Sequence, residues 1–189
     1  MSSDIGAGNF LNEMLLTKNI KFENNRLLLM NRPGVLINMS IFASLVGKLM
    51  KYDEKELYNA GSISITGIVV DYKNRFNNDI NKTLDLISNV VASSGLGKFV
   101  FNFDKDKIVT TINPSPLAEA YINLFGKSEK PICFFSAGGL NSIFAGLLDK
   151  KYSTKEIYCK AKGDQECKFI SGVLLWQENQ ILGTLLNTH

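Results

Sequence analysis

Apolar residues recur at helical spacing through the first half of the chain. Ile37, Ile41, Leu45 and Leu49 share one face, which Phe42 and Val46 widen. Leu57, Ser64, Ile65, Ile68, Tyr72 and Phe76 mark a second helix, in which Gly61 and Ser62 permit close packing. Ile80, Leu84, Ile87 and Val91 mark a third, ending near Gly95. Such stripes are expected to face a core. Phe10, Leu11, Met14 and Leu15 add a short N-terminal helix or arm.

Between and after these helices the period changes to two. Residues 20–30 alternate around Asn24-Asn25, a hairpin with a polar turn, and Pro33-Gly34 then breaks the chain. Phe99, Phe101 and Phe103 leave one face of a strand; Asp104 to Lys107, with Asp106 solvated, make the turn, and Ile108, Thr110 and Ile112 answer on the return. Ser115 and Pro116 read as N-cap and first residue of a helix that Gly126 stops. A further helix opens at Pro131, buries Leu140, Ile143, Phe144 and Leu147, and ends at Lys150-Lys151. A last hairpin turns at Gly163-Asp164, and the tail from Val173 reads as strand then helix. Helices, hairpin, helices, hairpin predict an α+β fold, an antiparallel sheet with helices packed on it, over one domain of residues 1–189.

Composition narrows the function classes. The 189 residues are 45% hydrophobic and 21% charged, the balance of a soluble globular chain. A net charge of +3 without a basic stripe gives no case for nucleic acid. No apolar run is long enough to span a membrane, and the first residues do not read as a signal peptide. A reducing, cytoplasmic setting is expected. The one histidine is His189, which argues against Cys-His and Ser-His catalysis.

All three cysteines, Cys133, Cys159 and Cys167, fall in one stretch. Cys159 and Cys167 are equidistant from Gly163, so a simple hairpin makes them cross-strand neighbours with Cβ atoms ~5 Å apart. With Cys133 and Glu156 they could close a tetrahedral site. Buried filler and a Cys159–Cys167 disulfide are the alternatives. Glu156 and Cys159 differ by an odd number and so leave opposite faces of a flat strand; a bulge is needed to unite them.

The run Glu156-Ile157-Tyr158-Cys159, then Gly163-Asp164 and Cys167, resembles the vinyl-4-reductase-type hydrocarbon-binding domain, closely over residues 131–171. The resemblance implies the ligand-binding fold common to NO-signalling and Golgi-transport proteins, with relatives among aromatic-responsive activators and vesicle-tethering subunits. It implies zinc on Cys133, Glu156, Cys159 and Cys167. With four protein ligands that zinc would be structural, leaving no open position for Lewis-acid hydrolysis. Its formal charge of about −2 would be offset by Lys155, Lys160, Lys162 and Lys168. Cys133, in the first turn of its helix, would be helped towards thiolate. The resemblance also implies a ligand between sheet and helices, with Phe99, Phe101, Phe103 and Ile112 as candidate lining. The phenol specificity of the sensors is not implied, because the chain has no interior histidine and its one tryptophan, Trp176, lies beyond the hairpin. An apolar or lipid-like ligand fits better.

Two glycine clusters carry no cofactor signature. Gly95-Leu96-Gly97-Lys98 follows Ala92 where a Walker motif has glycine, and Phe99 stands where Ser or Thr is required. Gly138-Gly139 reads as close helix packing. Three functions remain in view. The first is a non-enzymatic binding module, a homodimer with a structural zinc and an apolar pocket of at least ~300 Å³. The homodimer is expected because the helices at 37–50 and 57–76 supply more apolar face than a small sheet covers, and relatives implied by the resemblance pair up. The second is a scaffold protein. The third is an enzyme, for which no nicotinamide or flavin fingerprint is present. Any signal would pass to a separate partner.

Overall fold

The computed structural model describes residues 7–174 except Asp106. The tail after Leu174, with Trp176, lies outside the described residues. Helix α1 (Ala7–Leu16) leads into a meander of β1 (Ile20–Glu23), β2 (Arg26–Leu29) and β3 (Arg32–Gly34). Asn24 and Asn25 turn the first hairpin at positive φ, as do Met30 and Asn31 the second. Pro33 does not break the chain here. It sits opposite Leu28 on the edge strand, where a residue without an N–H is tolerated.

Helices α2 (Met39–Leu49), α3 (Glu54–Arg75) and α4 (Ile80–Ser93) follow, each begun by an Asn or Asp that accepts first-turn N–H groups: Asn38, Asp53 and Asp79. Strands β4 (Phe99–Asp104) and β5 (Lys107–Ile112) precede α5 (Pro116–Phe125) and α6 (Phe134–Leu148). Strands β6 (Tyr152–Tyr158) and β7 (Cys167–Val173) complete an antiparallel sheet of order β4-β5-β7-β6. Separate antiparallel sheets with helices on them make the fold α+β.

The core lies between this sheet and α6, around Phe144, Phe169, Ile108 and Leu140. Helix α3 lies along α6 at the closest approach an interface permits. A Cβ at Gly61 would meet the Phe135 carbonyl oxygen, and one at Gly138 the Tyr58 carbonyl oxygen, at under 2 Å. Glycine is required at both. The C-terminal end of α6 is held by Lys73 of α3, whose Nζ donates to the Gly146 carbonyl (3.2 Å) and pairs with Asp149 (2.7 Å). Sequence patterning assigns that place to Lys150 and Lys151 instead.

Helix α2 departs from its stripe. Ile37, Ile41, Leu45 and Leu49 are 52%, 54%, 54% and 50% exposed, while of the expected face Val46 is buried and Phe42 partly so, joined by Ala43 and Gly47. Gly47 sits against the Phe125 ring of α5, which a Cβ there would have to push aside. Small residues therefore share the docking face of α2 with Val46 and Phe42, and the four-residue stripe looks outward. No helix among the described residues is long and apolar enough to cross a membrane.

Candidate metal centre and apolar cavities

Strand alternation places the chemistry. On β6, Tyr152, Thr154 and Glu156 point inward. Register then shifts between Glu156 and Tyr158, so Ile157 and Tyr158 both face out and Cys159 turns in. That irregularity supplies the change of phase that the odd spacing requires. On β7, Cys167 begins the inward set that Phe169 and Ser171 continue. Cys159 lies just past the end of β6 rather than on it. A short 3-10 turn (Lys160–Lys162) and Gly163 at φ 109° carry the chain round, and Asp164 closes the loop by accepting the Cys159 N–H at 2.7 Å. Cys133 is the N-cap of α6, just before the helix, whereas a helix opening at Pro131 would put it third, inside the first turn.

Cys133, Glu156, Cys159 and Cys167 are all buried, with ligand atoms within 4.8 Å of one another. The Cys133 and Cys167 sulfurs are 3.7 Å apart. Donors about 2.3 Å from a common tetrahedral centre would lie about 3.8 Å apart. Glu156 accepts the Cys133 N–H on Oε2 at 2.9 Å, while its buried Oε1 has no donor among the described residues. An orphaned carboxylate oxygen beside three thiols is what a thiophilic cation would satisfy. The quartet could hold a metal.

The electrostatics agree with that donor set. Burial, then the negative charge of Cys167, pushes the Glu156 carboxyl up to about 8. Cys133 is pushed up by the other two thiols and by burial, so the helix N-terminus does not prevail there. Cys159 is pushed up as well, whereas Cys167 is pushed down by hydrogen bonds from Cys133 and Cys159, then from Ser115 and the Lys160 N–H. Four anions cannot coexist here without a cation. The lysines do not supply it. Lys160 pairs with Glu119 and Lys168 with Glu166, and Lys155 and Lys162 are exposed. The Lys160 N–H does reach the site, donating to Cys167 Sγ at 3.4 Å. Ser115 begins α5 without a side-chain cap bond; its Oγ lies 3.3 Å from the Cys167 sulfur.

The phenylalanine face is divided. Phe99 is buried, Phe101 packs edge-on against Phe144 with centroids 5.8 Å apart, and Phe103 is 53% exposed at the open end of the sheet. Phe99 and Ile112 border an inner cavity of about 110 Å³ with Ser64, Ser115 and Ser136. Phe101 and Phe103 border neither this cavity nor the larger one. The larger space, about 580 Å³, opens between the meander and helices α1 and α2, lined by Leu11, Leu27, Val35, Leu36, Phe42 and Phe135 among others. Sequence patterning passes over this site. Its one signal is the run of apolar residues from Val35 to Ile37, too short to read as an element.

Residues 108–173 match the family model of the vinyl-4-reductase domain, so the resemblance carried by the cysteine run holds for this segment. Three solved structures share the fold. The phenol-responsive sensory domain of the transcription activator PoxR, solved with phenol, aligns over 100% of both chains at 15% identity and TM-score 0.76. A trafficking protein particle complex subunit 3 from Naegleria fowleri, covalently bound to palmitic acid, aligns over 73% of this chain and 96% of its own (13% identity, TM-score 0.52). A vinyl-4-reductase family protein from Methanocaldococcus jannaschii aligns over 75% and 85% (17% identity, TM-score 0.50). No curated protein matches the sequence.

Proposed function

We propose that residues 1–189 form one non-enzymatic binding domain for an apolar or lipid-like small molecule, with a structural zinc on Cys133, Glu156, Cys159 and Cys167. The apolar cavity of about 580 Å³ carries this reading. It is of a size that small-molecule sites adopt, in a fold shared with a phenol-bound sensor and a palmitate-bound subunit. None of the three cysteines lines this cavity, so its occupant meets no thiol there. Zinc is favoured by the soft, closed donor set, and its role is to tie the β6–β7 loop to the start of α6. The domain acts as a cytoplasmic homodimer and hands its output to a separate partner.

Native mass spectrometry of freshly purified protein, with metal analysis, tests both halves. One zinc per chain and a co-purified apolar molecule are expected. Less than a tenth of an equivalent of metal would remove the zinc. No bound mass, and no stabilisation by aromatics or fatty alcohols in a melting screen, would remove the ligand.

A second reading, a homodimeric scaffold without a ligand, is favoured by one observation. Val35, Leu36 and the outward row of α2 form an exposed apolar ridge beside the cavity mouth. A ridge of that kind marks an interaction surface.

A further inference from the structure

The two cavities are neighbours. Phe42, Leu96 and Phe135 line both, and the Phe42 and Phe135 rings meet edge to face with centroids 5.2 Å apart. The Phe135 backbone is packed closely on Gly61. Phe42 rides on α2, whose outer face has no covering among the described residues. The Phe42 side chain thus stands between the two spaces, and a turn of it would open one onto the other.

Their linings differ in chemistry. The large cavity is lined by hydrocarbon and aromatic rings, relieved only by Ser93 and Ser94 at its edge. The inner one brings three further hydroxyls together, from Ser64, Ser115 and Ser136. Ser64, exposed at the rim, donates to the Gly61 carbonyl (2.7 Å), and Ser115 is engaged by Cys167. Ser136, in the first turn of α6, lines the cavity, and its hydroxyl makes no hydrogen bond among the described residues. No described Lys, Arg, Asp or Glu lines either space.

We propose that the ligand is a neutral amphiphile, a long-chain alcohol in type. Its hydrocarbon body fills the large cavity, and its hydroxyl passes the Phe42–Phe135 wall to Ser136 and Ser64 in the inner one. This rests on the binding-module reading and specifies its occupant. A hydroxyl both donates and accepts, which matches the Ser136 hydroxyl and the lone pairs left on Ser64. A carboxylate would enter a space without a countercharge, and that is costly.

Calorimetric titration of the full-length, metal-loaded protein with decan-1-ol and with decanoate at pH 8 tests the assignment. The alcohol should bind at least about tenfold tighter. Ser136→Ala should weaken the alcohol about fivefold and leave decanoate nearly unchanged. Gly139→Leu is the second variant. A Cβ there meets only the Gly61 carbonyl oxygen, at an ordinary 3.8 Å, so the helix accepts it while the side chain fills the inner cavity. It should abolish the preference for alcohol. Equal binding of both probes, or tighter binding of decanoate, with both variants unchanged, would overturn the inner-cavity assignment and leave the large cavity as the site. Binding of neither probe to the wild-type protein would take down the binding-module reading itself.

Discussion

The metal-ligand end of the molecule and its meander end treat the same kind of residue in opposite ways. Around β6, β7 and α6, apolar and sulfur-bearing side chains are fully enclosed: Phe144, Phe169, Ile132 and all three cysteines. Around α1, the meander and α2, comparable residues stand in the open, Val35 at 76% and Leu36 at 80% exposure. Helix α2 and helix α6 both carry apolar stripes, yet only α6 has both a sheet and a helix to press against. The difference teaches that an apolar stripe records a need for cover and does not say what provides it. At one end the chain provides it. At the other, the described residues do not.

The largest expected effect separates the two ends by stability. Cys167→Ser should abolish metal binding and cost ~4 kcal/mol or more in denaturant unfolding, since it removes a ligand and leaves Glu156 and two thiols buried together. Leu36→Ser, at the cavity mouth, should stay within ~0.5 kcal/mol when no ligand is present. If both variants unfold alike with and without a chelator, the metal end is held by packing alone and the contrast fails.

The pH dependence should also belong to the metal end. At pH 7 the upward-shifted Cys133, Cys159 and Glu156 hold protons, and the downward-shifted Cys167 does not. A cation needs all four deprotonated, so about three protons should leave as it binds. Metal affinity, and the stability it confers, is then gained as pH rises and lost as pH falls. In the metal-free protein the two directions oppose each other. Between about 4.5 and 8, folded Glu156 keeps a proton that the unfolded chain has released, while folded Cys167 lacks one that the unfolded chain keeps. One gained against one missing leaves a flat profile there. Calorimetry in buffers of different ionisation enthalpy counts the protons; a count near zero would mean that the thiols stay protonated and the site is not a thiolate centre.

A graded effect should run along the phenylalanine face as it passes from enclosed to open. Phe144→Ala should cost ~3–5 kcal/mol, Phe101→Ala about half that, and Phe103→Ala under ~1 kcal/mol. Equal costs would mean that the open end of the sheet is covered in solution.

This gradient shows where sequence reading succeeds. Alternation puts Phe99, Phe101 and Phe103 on one face, and they are on one face. It cannot show that Phe103 is left uncovered at the open end, because that depends on how helix and sheet cross. The quartet is legible for the opposite reason. Cys133, Glu156, Cys159 and Cys167 are few, chemically distinct and placed by a local turn, so their spacing carries the geometry. Even the obstacle, the odd step from Glu156 to Cys159, names the irregularity that removes it. The large cavity is not legible. Its walls come from α1, the meander, α2 and the start of α6, elements brought together only by tertiary packing, and its residues are individually ordinary. The outward face of α2 misleads because Ile41, Leu45 and Leu49 are expected to dock, whereas Ala43 and Gly47 do so beside Val46.

The smallest effect on stability is expected on that outward face, and it is the most informative about the open end. Ile41 and Leu45 lie one turn apart on α2, each 54% exposed. A lysine at Leu45 keeps helix propensity and can lay its methylene stem over the half of the site that is covered, so Leu45→Lys should change the unfolding free energy of a single chain by no more than ~0.5 kcal/mol. In a twofold dimer each residue near the axis faces its own copy, so the substitution sets charge against charge across the interface. Light scattering at tens of micromolar should then move from dimer to monomer mass in Leu45→Lys, while alcohol binding in the cavity persists. A wild-type monomer mass would refute the pairing outright. A dimer that survives both Leu45→Lys and Ile41→Lys would place the contact elsewhere, leaving the α2 ridge as the lip of the ligand cavity, whose apolar residues are covered only when the site is filled.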